Sequence, residues 1–228
     1  MRFRHETLTF EMTMLKLTHP LSIGLLAGGL AAAATFVLSA FAENSPRTIA
    51  DNQNLETAIF AGGCFWCVES DFDKLDGVLE TVSGYTGGAT TNPTYKTHTK
   101  QGHLEAVKVI YDSSKVEYGE LVDYFVRHID PTDDGGQFCD RGNSYRSAVF
   151  VDTAEERAEV EAQFETINQA GILPAPIVTR VLDEAEFYDA ETYHQNYYQK
   201  NPARYKLYRV GCGRDKRVAK VWSGDGNS

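Results

Sequence analysis

Four cysteines hold the chemical possibilities of this sequence: Cys64, Cys67, Cys139 and Cys212. The first two lie in Gly62-Gly63-Cys64-Phe65-Trp66-Cys67, between a short apolar run and a stretch with helical spacing. Paired glycines allow a tight turn, which predicts Cys64 at a helix N-terminus. There the unpaired N–H groups and the helix dipole favour an anion and draw a thiol toward thiolate. The thiolate is the nucleophilic form. Phe65 and Trp66 would wall an apolar pocket beside it, and Cys67 offers a second thiol one helical turn on. A simpler account makes Cys64 a small buried residue between two core aromatics. It leaves the double glycine and the second thiol without a purpose.

A Cys-x-x-Cys at a helix start also suits a thioredoxin-like disulfide oxidoreductase, and paired cysteines can hold zinc. Structural zinc needs a second close pair. Cys139 and Cys212 each stand alone in the sequence, so a zinc module is the weaker alternative and no metal ligand set is expected. His98, His103, His128 and His194 show no ligand spacing and are read as structural. The Gly84 to Gly88 segment lacks the Lys-Ser/Thr of a phosphate loop.

The elements that must position these groups belong to a chain of 228 residues, 42% hydrophobic and 24% charged, with a formal charge of -10. That composition is globular, and the acid excess repels a nucleic-acid backbone. No charged residue falls between Lys16 and Glu43, and the apolar run Leu21 to Ala42 closes with Ala40-Phe41-Ala42. Residues 1–42 are therefore expected to be a signal peptide, with Met14 the more natural start, or else an uncleaved membrane anchor. Either places the remainder outside the cytoplasm, in the periplasm or beyond, where thiols meet an oxidising medium. Residues 43–56 read as a linker.

From Thr57 the patterns predict a strand at Ala58 to Ala61, a helix at Cys64 to Leu75, and strands at Val78 to Tyr85 and Leu104 to Tyr111. A helix at Tyr118 to Ile129 and a strand at Ser147 to Val151 follow. Thr153-x-x-Glu156 is a capping box opening a helix to about Ala170. A strand at Pro176 to Leu182 and a helix at Ala190 to Lys200 complete the order. The first six elements read βαββαβ, so the fold class is α+β: a two-layer sandwich with a ferredoxin-like core and a mixed sheet. Arg214-Asp215-Lys216-Arg217 reads as a solvated turn.

The run Gly63-Cys64-Phe65-Trp66-Cys67 resembles the signature of A-type peptide methionine sulfoxide reductases, the enzymes specific for the S epimer. Further segments agree in order: Gly84-Tyr85-Thr86-Gly87-Gly88, Asn92-Pro93-Thr94-Tyr95, Gly102-His103-Leu104-Glu105-Ala106-Val107, His128-Ile129-Asp130-Pro131, Tyr145-Arg146-Ser147 and His194-Gln195-Asn196-Tyr197-Tyr198. The resemblance spans about Thr57 to Pro202. It implies a catalytic domain over 57–202 and a C-terminal tail over 203–228.

The resemblance also implies roles. Cys64 would attack the sulfoxide sulfur and Glu105 would protonate its oxygen; a carboxyl can do so at neutral pH only if burial raises its pKa. Tyr95 and Tyr145 match phenols that bind the oxygen, Phe65 and Trp66 would hold the substrate methyl, and Asp140 matches a polar pocket residue. Cys64 would be left as sulfenic acid, to be captured by a second thiol as a disulfide. Cys67 is the favoured resolving thiol, with Cys212 on a glycine-flanked, mobile tail relaying next. Cys139 stands where the common pattern has Asn and remains open; the lesser alternative is an inert bridge between Cys139 and Cys212. No bound cofactor is implied. The expected partners are oxidised methionine-containing proteins and an external, thioredoxin-like dithiol donor, acting on a monomer.

Overall fold

Residues 54–224 are described by the computed structural model. The leader and all but the end of the linker lie outside those residues. Apolar alternation builds the sheet. Ala58 and Phe60 turn to one face, whereas Ile59 and Ala61 turn to the other, as the period of two requires. The chain runs β1 Leu55–Ala61, α1 Phe65–Phe72, β2 Val78–Thr86, β3 Leu104–Asp112 and α2 Tyr118–Arg127. A two-residue hairpin, β4 Gly136–Gln137 and β5 Asp140–Arg141, precedes β6 Ala148–Val151 and α3 Ala154–Ala170. Then come β7 Arg180–Asp183, β8 Tyr188–Asp189, α4 Tyr197–Lys200, α5 Pro202–Gly211 and α6 Arg214–Val221.

The result is a mixed α+β fold. Its main sheet has the order β7-β6-β1-β3-β2-β8, antiparallel except where β6 meets β7. One face packs on helices: Phe60, Val107, Val109 and Val149 join Val68 and Phe72 of α1, Leu121 and Phe125 of α2, and Val160 and Phe164 of α3. The opposite face, with Ile59, Leu104 and Phe150, is covered by Leu182 and Phe187. Thr153 caps α3 as expected, its Oγ1 accepting from the Glu156 N–H at 3.1 Å. Among the described residues no helix is long and apolar enough to cross a membrane.

Three expectations fail locally. The helix read at Ala190 to Lys200 is helical only over Tyr197–Lys200, because Asn196 adopts φ 53°, outside the helical region. The turns before it let Gln195 reach β2, where its side chain accepts from the Ser83 N–H and donates to the Ser83 C=O. The strand read at Pro176 to Leu182 is confined to Arg180–Asp183; Pro176 has no N–H for a ladder. The tail is no loose strap: Pro202 opens α5 at the first helical position, where its missing N–H costs nothing.

Candidate active site

The β1–α1 junction presents Cys64. Gly63 takes φ +83°, and a Cβ there would lie 2.6 Å from Gln137 Cβ, so both conformation and space require glycine. Gln137 is fixed in turn by exchanging two hydrogen bonds with the Asp130 backbone, at 2.8 and 2.9 Å. Cys64 itself is the N-cap of α1. It opens onto a small cavity lined by Cys64, Phe65, Trp66, Tyr95, Glu105, Asp140, Tyr145 and Tyr208. A larger, shallower groove between α2 and α3 carries Glu117, Glu120, Asp123 and Glu159 but no cysteine.

Glu105, second residue of β3, is 2% exposed. Its Oε2 accepts the Phe65 N–H at 3.1 Å, and His98 Nε2 stands 3.8 Å from its Oε1. Burial pushes the carboxyl up to about 8; the Phe65 bond opposes this, and the nearby Asp140 charge adds to it. A carboxyl so placed keeps its proton at neutral pH. Burial raises the Tyr95 phenol to about 12 and raises that of Tyr145 as well, so both remain hydrogen-bond donors.

Trp66 is held on both sides. Its ring stacks on Tyr197 at 3.7 Å between centroids, and its Nε1–H donates to His194 Nδ1 at 3.0 Å. That bond puts the imidazole proton on Nε2, and burial lowers the His194 pKa to about 4, keeping the ring neutral. His98, His103 and His194 are all buried.

Cys67 lies behind the cavity, packed with Trp66, Tyr197, Tyr205 and Tyr208. The thiolate expected on Cys64 from the helix N-terminus is not the resting state. Burial holds the Cys64 thiol well above its ordinary range. Its S–H donates to Cys67, whose thiol is drawn down to about 7 by that bond and by the charges of Arg214 and Arg209. At Cys64, desolvation outweighs the helix dipole.

The structure thus gathers Cys64, Phe65, Trp66, Tyr95, Glu105, Asp140 and Tyr145 around one cavity, with Cys67 adjoining. Cys212 is not in that lining: it is disulfide-bonded to Cys139, with a Cα–Cα distance of 4.9 Å, and its sulfur lies within 4.8 Å of an Asp140 carboxylate oxygen. Cys64 and Cys67 are free. The bond accounts for Cys139, which precedes Asp140 on the exposed side of the hairpin.

Sequence reasoning missed what the C-terminal helices supply. Tyr208 of α5 lines the cavity and donates to Asp140 Oδ2 at 2.5 Å. Arg214, read as part of a solvated turn, is 2% exposed. It donates to the carbonyls of Gly62 and His128 at 3.2 and 3.0 Å, tying α6 to the backbone just ahead of Cys64. Arg209 pairs with Asp71 of α1 at 2.8 Å. The signal was present: after the Asn201-Pro202 start, Tyr205, Tyr208 and Cys212 fall on one helical stripe.

The family model for peptide methionine sulfoxide reductase matches residues 56–225. This chain belongs to the peptide methionine sulfoxide reductase family. It is an oxidoreductase that reduces methionine sulfoxide. The reductase is 53% identical to peptide methionine sulfoxide reductase MsrA 2 of Rhizobium meliloti over 165 residues, 72% of this chain and 82% of that one. It is 49% identical to MsrA of Bacillus pumilus over 175 residues, 75% of this chain and 98% of the relative. Among solved structures, methionine sulfoxide reductase A of Corynebacterium diphtheriae superposes with a TM-score of 0.59 at 34% identity, covering 68% of this chain and 79% of that chain. Mxr1 from Saccharomyces cerevisiae in reduced form gives 0.58 at 30% identity, covering 65% and 87%.

Proposed function

We propose that this reductase acts on methionine S-sulfoxide, free or in oxidised proteins, with Cys64 as nucleophile and Glu105 as general acid. One observation carries the reading: a buried thiol and a carboxyl that retains its proton at neutral pH open onto the same small cavity. A sulfoxide is a poor electrophile until its oxygen is protonated. As the Cys64 sulfur attacks, its proton passes to Cys67, and Glu105 gives its own proton to the oxygen. Tyr95 and Tyr145 donate to that oxygen, Phe65 and Trp66 hold the methyl, and Asp140 anchors the polar end. The substrate S–O bond breaks, the hydroxyl passes to Cys64 as sulfenic acid, and the thioether leaves.

Cys67 then condenses with the sulfenic acid, forming a disulfide and releasing water. Thiol–disulfide exchange carries that bond outward: Cys212 attacks Cys67, and Cys139 displaces it, which restores both buried thiols. A Cys139–Cys212 bond with Cys64 and Cys67 free supports this relay, being the arrangement it would leave. An external dithiol of the thioredoxin class would reduce it, becoming a disulfide itself.

In this reading residues 57–202 form the catalytic domain. The strand order β6-β1-β3-β2, with α1 and α2 between strands, supports a ferredoxin-like core. The tail 203–228 supplies Cys212, and the apolar run Leu21 to Ala42 supports export of the enzyme. Replacing Cys64 by Ser tests the central role. Loss of all turnover of a methionine S-sulfoxide peptide, with the R epimer untouched by the native enzyme, is the expected result; retained turnover rejects it.

A further inference from the structure

α5 brings a third phenol into the cavity. Tyr208 sits with its hydroxyl on Asp140 Oδ2 and within hydrogen-bonding reach of the Cys64 sulfur, and its ring meets Trp66 edge-on at 5.9 Å. Its single proton can serve either acceptor. The two chain segments that carry this contact are joined a short step away. Cys212 lies one helical turn beyond Tyr208, at the C-cap of α5, Cys139 immediately precedes Asp140, and the two cysteines are bonded. The disulfide therefore closes a covalent loop around the Tyr208–Asp140 hydrogen bond.

We infer that Tyr208 is a catalytic residue of this reductase, a phenol that donates to the Cys64 sulfur as it becomes thiolate, and that the Cys139–Cys212 disulfide fastens it in place. The inference rests on the assignment of Cys64 as nucleophile. Cys64 is buried among groups that resist its ionisation: Cys67 on α1 and Glu105 on β3 both raise its pKa, and Tyr208 is the contact that opposes them. Asp140, Tyr95 and Tyr145 complete the titratable wall. As the thiolate forms, the phenolic proton turns from Asp140 to sulfur, where a charged acceptor makes the stronger bond. The oxidised C-terminal pair would then mark an enzyme whose nucleophile is ready for another sulfoxide.

The test uses the full chain with the Cys139–Cys212 bond formed. Alkylation of Cys64 by iodoacetamide is followed against pH by peptide mapping, beside single-turnover release of methionine without reductant. Tyr208→Phe should move the Cys64 midpoint up by about one pH unit and lower release at neutral pH about tenfold, since each pKa unit is a factor of ten in thiolate. A merely structural phenol would leave the midpoint where it is, and that result overturns the inference. Cys139→Ser should move the midpoint the same way by a smaller amount; a midpoint equal to the native one removes the fastening role. Methionine release from Cys64→Ser would instead overturn the nucleophile assignment, a result distinguishable from an unmoved midpoint.

Discussion

The Phe65 N–H donates to Glu105 Oε2 at 3.1 Å, so the residue after the nucleophile grips the acid that must protonate the substrate. Nucleophile and acid come from different elements, and this bond fixes one against the other. It uses an N–H of the first turn of α1, which has no partner within the helix.

Activity should fall as pH rises through about 8, where Glu105 loses its proton. Glu105→Gln keeps the acceptor for Phe65 but cannot give a proton. The single-turnover rate should drop by about 100-fold or more, and the alkaline limb near 8 should vanish from its pH profile. Stopped reactions quantified for methionine between pH 6 and 9 provide the check.

The four thiols set the number of turnovers available without reductant. Fully reduced enzyme should release two methionines per chain, one oxidising the Cys139–Cys212 pair and one the Cys64–Cys67 pair. Enzyme with Cys139–Cys212 already bonded should release one. Burst amplitudes by chromatography distinguish this from an inert bridge, which yields one in both states.

Much of this was legible from the chain. The double glycine, the aromatic pair and Glu105 at the start of an apolar strand mark the cavity, because strand period and helix start constrain them locally. The C-terminal contribution was hidden. α5 exposes Leu207 and Val210 while burying Tyr205 beside Cys67, so its apolar pattern does not reveal which face docks. The stretch before α4 misled for a related reason: the helical spacing of His194 and Tyr197 arises from turns packed on Trp66. Arg214 looked solvent-facing because its acceptors are backbone carbonyls from two other segments.

Gly63→Ala should disturb both stability and catalysis. The added Cβ meets Gln137 at 2.6 Å in a backbone conformation an L-residue resists, at a cost of about 1–3 kcal/mol. Calorimetry should show Tm lowered by several degrees, and the single-turnover rate should fall with it because Cys64 follows directly.

Glu69 of α1 is buried, accepts the Asn196 N–H at 2.9 Å, and is raised by burial to about 7. Between the ordinary glutamate range and 7 the unfolded chain has this group ionised while the native state keeps it protonated. The native state then binds the extra proton, and stability from this group declines as pH rises through that window. Glu69→Gln removes the dependence, so its Tm advantage over the native enzyme should grow from pH 5 to pH 7. A constant difference would show that Glu69 ionises normally.

The most direct test of the account traps the first oxidised intermediate. In the Cys67→Ser enzyme, with Cys139 and Cys212 already bonded, Cys64 has no resolving partner. One equivalent of a methionine S-sulfoxide peptide should yield one methionine per chain and a sulfenic acid mapped by mass spectrometry, as its dimedone adduct, to Cys64 alone. Methionine released with no adduct at Cys64, or an adduct on any other residue, would contradict attack by Cys64 on the sulfoxide.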